Sequence, residues 1–178
     1  MASNVEEELI EILNNPASNI QAKLLGFKLL LSLSASEEGL KKLTEKEFLS
    51  FLISHINDAT ADKRTLSFAF KCLINISATQ EGAIALLNFK KDLILNFQTL
   101  ICDGKCDYSE YVCYILSNLS TCCDIQKQED FIRTKNIDNL IKCFTCCKKE
   151  LRKKVSIFNS LFCQFNFISR YEKITIRI

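Results

Sequence analysis

Turn-forming residues are scarce in this sequence, which has one proline and four glycines among 178 residues. An all-β domain needs turn punctuation every few residues, and a nucleotide-binding α/β fold needs a glycine-rich phosphate turn. Long helices need neither, so the shortage points to an all-α chain. Histidine is limited to His55, and no Ser, Cys or Asp stands beside it in a recognisable nucleophile motif. No phosphate loop, metal-binding helix or nucleophile elbow occurs either. The expectation is therefore a protein that is not an enzyme and needs no cofactor, with His55 as an ordinary helix-surface residue. The net charge of +2 is too slight to imply a nucleic-acid partner, which normally leaves a concentrated basic face. No apolar run reaches the roughly 18–20 residues that span a bilayer. The longest uncharged stretch near the end, 155–169, is interrupted by Ser156, Asn159, Ser160, Gln164 and Asn166 and reads as a buried helix. Glu6, Glu7 and Glu8 stand where an export signal would be basic and then apolar. A cytoplasmic location with no membrane contact is expected.

What the sequence does have is ten cysteines and ordinary globular proportions, with 48% hydrophobic and 25% charged residues. In a chain without an export signal the cysteines read as reduced thiols, each behaving as a small buried hydrophobe. Cys143, Cys146 and Cys147 fall at i, i+3 and i+4 and could share one helix face. Tetrahedral zinc would need a fourth thiol from Cys106, Cys122, Cys123 or Cys163. A zinc or redox cysteine protein thus stands as an alternative, against the simpler reading of apolar burial. Lys148, Lys149, Arg152, Lys153 and Lys154 form the densest basic cluster, read as a solvated helix start.

The strongest signal is an internal repeat. The run Phe27 to Gly39 aligns with Phe70 to Gly82, with Phe, Lys, Leu, Ser, Ala, Glu and Gly coinciding at a shift of 43 residues. Asn118-Leu119-Ser120 falls over Asn75-Ile76-Ser77 at the same shift, and a weaker fourth copy places Asn159 beneath Asn118 at a shift of 41. Periods of roughly 40–47 residues belong to armadillo and HEAT arrays.

Three helices are expected in each period. A short first helix follows a capping side chain, Ser36, Thr79 or Asp124. A second carries apolar residues at i, i+3 and i+4, as in Phe48, Leu52 and Ile56, then Leu93, Ile94, Phe97 and Ile101, then Ile137, Leu140, Ile141 and Phe144. A third, longer and more apolar, is expected over 20–34, 63–78, 107–121 and 150–165. Polar linkers separate second from third helices, and in the first copy Pro16 stops the preceding helix. One triplet cannot cover its own apolar stripe, so neighbouring copies must stack. The predicted architecture is a single domain over 1–178, a right-handed armadillo/HEAT-like α-solenoid of about four repeats (1–35, 36–78, 79–121 and 122–171).

Leu73-Ile74-Asn75-Ile76-Ser77 and Leu116-Ser117-Asn118-Leu119-Ser120 resemble the armadillo third-helix signature. That resemblance implies a peptide-binding groove in which the asparagines hydrogen-bond the main chain of an extended partner. An amide offers both a donor and an acceptor, matching one peptide unit. The role passes to Asn75, Asn118 and Asn159, with Ser32 in the first copy. The alternative is that these amides satisfy groups inside the array. Nuclear-import receptors of this family add a tryptophan four positions earlier. Here Lys71, Tyr114 and Val155 occupy those positions and the chain has no tryptophan, which disfavours import.

The run Phe70 to Leu87, together with Glu150-Leu151-Arg152-Lys153-Lys154-Val155, is similar to the cytosolic armadillo-like family that assists folding of eukaryotic elongation factor 2. The resemblance implies a chaperone adaptor whose partners are that elongation factor and the cytosolic chaperonin. Family members continue through a second half with an Arg-Asn-Cys-Cys-Phe stretch after the basic run. Here Asn159-Ser160-Leu161-Phe162-Cys163 stands in its place, so a fragment or a shortened product is expected. Phe162, Phe165, Phe167 and Ile168, then Ile174, Ile176 and Ile178, would leave an apolar end able to self-associate.

Overall fold

The computed structural model describes residues 5–89, 93, 97 and 108–122, which form helices joined by short turns, with no strand among them. Seven helices are named: α1 Val5–Asn14, α2 Ile20–Leu33, α3 Glu37–Leu43, α4 Lys46–Asn57, α5 Lys63–Ser77, α6 Gln80–Phe89 and α7 Ser109–Cys122. The third-helix expectations at 20–34, 63–78 and 107–121 correspond to α2, α5 and α7, with their ends displaced by one or two residues.

The helix starts follow from side chains that accept otherwise orphaned backbone N–H groups. Asn19 Oδ1 accepts from Gln21 N at 2.9 Å before α2, and Asp62 Oδ1 accepts from Arg64 N at 2.9 Å before α5. Ser36 Oγ accepts from Gly39 N at 3.1 Å, and Thr79 Oγ1 accepts from Gly82 N at 3.1 Å. The caps expected at Ser36 and Thr79 are present, while Asp124 lies outside the described residues. Between α1 and α2, Asn15 Oδ1 accepts from Ala17 N at 2.9 Å, forming a tight turn around Pro16.

The turn from a third helix into the next first helix is made the same way twice. A Cβ on Gly39 would collide with the carbonyl oxygen of Leu33 and come within 2.9 Å of Ser36 Oγ. On Gly82 it would collide with the carbonyl oxygen of Ile76 and come within 2.8 Å of Thr79 Oγ1. Only a residue without a side chain lets the new helix start directly beneath the end of the old one.

Packing follows the long helices. α5 lies against α2 on one side and α7 on the other, α4 and α6 pack on α5, and α6 also meets α7. One continuous core runs through them, with Phe27 and Leu30 from α2, Leu49 and Leu52 from α4, Phe70, Leu73 and Ile76 from α5, and Ile115 and Leu119 from α7. Leu93 and Phe97 are fully enclosed in the same core, at the apolar spacing expected of a second helix. Each such side chain contributes about 1.5–3 kcal/mol by leaving water. Gly26 admits α1: a Cβ there would lie 2.8 Å from Leu13 Cδ2 and 3.3 Å from Leu9 Cδ1.

Candidate site on the third-helix face

The amides singled out in the sequence join successive third helices. Asn75 on α5 donates from Nδ2 to Ser34 Oγ, at the end of α2, at 2.8 Å. Ser34 in turn donates to the Leu31 carbonyl at 2.7 Å. One period later Asn118 on α7 donates from Nδ2 to Ser77 Oγ at 3.1 Å and to the Ile74 carbonyl at 3.2 Å, while Ser77 donates to that same Ile74 carbonyl at 2.9 Å. Ser34 and Ser77 are both buried, so each offers its oxygen where water does not compete. The serine two residues after the row position, which is Ser32 in the first copy and Asn75 in the second, is thus the acceptor for the amide of the following copy. Sequence reasoning missed Ser34 and Ser77 as partners, although their shared shift of 43 residues was the available signal.

Ser32, aligned with the two asparagines, is exposed and does not meet Asn75; Ser34 takes that contact. Lys71 and Tyr114 lie one helical turn before Asn75 and Asn118, and both are exposed, Tyr114 at 48%. Three rows therefore cross α2, α5 and α7 at corresponding positions: Leu25, Phe68 and Tyr111; Lys28, Lys71 and Tyr114; Ser32, Asn75 and Asn118. Leu25 is 69% exposed, large for a leucine in a folded helix. Lys71 Nζ rests 5.8 Å from the centre of the Phe68 ring, within cation–π reach. Tyr111 is anchored through Ser67, with 3.2 Å between the two hydroxyls, and stacks against Phe70 at 6.0 Å. Asn159, Cys143, Cys146 and Cys147 lie outside the described residues, as do the basic cluster at 148–154 and the apolar residues from Phe162 to Ile178.

His55 departs from expectation. It is half-buried, its ring centre 4.5 Å from that of Phe27 and 6.0 Å from that of Phe51. Its Nε2 lies 2.9 Å from Thr65 Oγ1, and Thr65 donates its hydroxyl hydrogen to the Asp62 carbonyl at 2.8 Å. That assigns Nε2 as the protonated nitrogen, donating to Thr65. Burial pushes the imidazole pKa below 6.5; Asp58 opposes the shift and Lys23 reinforces it. The sequence placed His55 on the surface because it could not show α2 and α5 closing over that edge of α4.

Among the described residues no group of three or more His, Cys, Asp or Glu side chains is arranged to hold a metal ion. Cys72 is a free thiol buried on α5, and burial pushes its pKa up to about 12. A pocket of about 280 Å³ beside α4, lined by Ser50, Ile53, Ser54, Asn57, Asp58 and Phe89, contains one ionisable side chain. No described helix is long and apolar enough to cross a membrane.

No protein-family model matches the chain, and no curated protein matches it in sequence.

Proposed function

We propose that the chain is an armadillo-type α-solenoid of about four repeats that works without catalysis, holding another polypeptide against its third-helix face. The observation that supports this reading is the recurrence, one period apart, of the asparagine-to-serine bond between successive third helices. Such a bond fixes the register of one helix on the next, so that residues at corresponding positions form rows across the surface. A rigid surface of rows loses little entropy when a chain lies along it. With its Nδ2 engaged by Ser34, Asn75 keeps Oδ1 as an acceptor for a main-chain N–H.

The resemblance to the elongation-factor folding family makes elongation factor 2, acting with the cytosolic chaperonin in the cytoplasm, the partner to test first. A photo-crosslinking amino acid placed at Tyr114 should capture purified elongation factor 2, while one at Lys41, on α3, should not. Capture from Lys41 alone would move the binding surface to another side of the molecule. Capture from neither site would remove elongation factor 2 as the partner.

A further inference from the structure

We propose that the polypeptide accepted by this face is an extended segment in which acidic residues recur at about every third position with apolar residues between them. This rests on the reading above and adds the partner's chemistry. Formal charge is distributed unevenly among the helices. α2 and α5 carry Lys23, Lys28, Lys63, Arg64 and Lys71 and no acidic residue, whereas α7 carries Glu110 and no basic residue. α1, α3, α4 and α6 together carry eight glutamates against three lysines. Basic residues are thus concentrated on the two neighbouring helices α2 and α5.

Among the described residues, Lys28 and Lys71 are basic residues at corresponding positions 43 apart, and both are exposed. Each lies one turn before its row member, Ser32 or Asn75, and three residues after an apolar neighbour, Leu25 or Phe68. Neither lysine makes an ion pair among the described residues. Packed helices are about 8–10 Å apart, and an extended chain of the polyproline II type, with three residues per turn, rises about 3.1 Å per residue. Carboxylates about three residues apart would therefore meet successive lysines, while Leu25 and Phe68 receive apolar side chains between them. A nucleic acid fits less well. The row beside the lysines holds Ser32 and Asn75, whose oxygens favour main-chain N–H groups over phosphates, and two lysines neutralise few phosphates.

The test uses the full chain and fluorescence anisotropy with a labelled twelve-residue peptide carrying glutamate at every third position and leucine between. A copy with glutamine for glutamate and a single-stranded oligonucleotide of twelve thymidines serve as comparison probes. The acidic peptide should bind, weaken as salt rises, and lose about tenfold in affinity with Lys28→Gln and Lys71→Gln combined. Lys41→Gln with Lys46→Gln should leave binding unchanged, and the thermal midpoint of each variant checks that it is folded. Equal binding of the glutamine peptide would overturn the charge inference and leave the polypeptide-holding reading intact. Tighter binding of the oligonucleotide would overturn it in favour of nucleic acid, and binding of none of the probes would count against both readings.

Discussion

Asn75 reaches across from α5 to donate to Ser34 at the end of α2, at 2.8 Å, and Asn118 repeats the gesture toward Ser77. These are amides committed to joining helices, in addition to whatever they offer a partner. Replacing Asn75 with alanine should therefore destabilise the protein by about 1 kcal/mol, the usual net contribution of a neutral hydrogen bond. A double-mutant cycle with Ser34→Ala, read by urea unfolding, should return a coupling of similar size, about 1 kcal/mol. Zero coupling would mean that the bond does not hold the helices in register.

Gly39 and Gly82 should respond alike to substitution, since a Cβ on either meets a backbone carbonyl that cannot turn aside. Gly39→Ala and Gly82→Ala are each expected to cost about 2–4 kcal/mol. Gly26→Ala meets the movable tip of Leu13 and gains helix propensity of up to about 1 kcal/mol, so its penalty should be clearly smaller. Thermal unfolding of the three variants checks the order, and a Gly26 variant as damaged as the other two would contradict it.

Stability should fall on the acid side through His55. Its folded-state pKa lies below the unfolded value of 6.5, so the unfolded chain binds the proton more readily. The contribution is complete above pH 6.5 and is lost as pH falls from there through the folded-state pKa. Asp58 and Lys23 are the charged groups that act on the ring, in opposite senses. Urea midpoints measured between pH 7.5 and 5 should drop more steeply for the native protein than for His55→Gln, which keeps a donor for Thr65. Parallel curves would show that the ring is not held neutral by its surroundings.

Cys72 should resist alkylation. A thiol raised to about 12 and enclosed in the core has almost no thiolate at neutral pH. Mass spectrometry after iodoacetamide at pH 8 should find Cys72 unmodified in the folded protein and fully modified in urea. Rapid labelling under native conditions would require that α5 open locally.

The sequence by itself determined the all-helical character, the positions of α2, α5 and α7, and the caps at Ser36 and Thr79. Each of these depends on neighbours within one or two helical turns, and the 43-residue period repeats that local chemistry. It also picked out Asn75 and Asn118, because an amide recurring in an apolar helix stands out. Tertiary structure alone decided what those amides touch. Ser34 and Ser77 became their acceptors, and Ser32 stayed in solvent, because helix packing rotates one third helix against the next by an amount no local pattern encodes. The same holds for His55, which lies on its own helix like any polar residue and is half-buried only because Phe27 and Thr65 arrive from elsewhere in the chain. Periodicity fixes which face a side chain occupies; the neighbour that covers the face is set by contacts from other helices, ten residues away for Thr65 on His55 and 41 for Ser34 on Asn75.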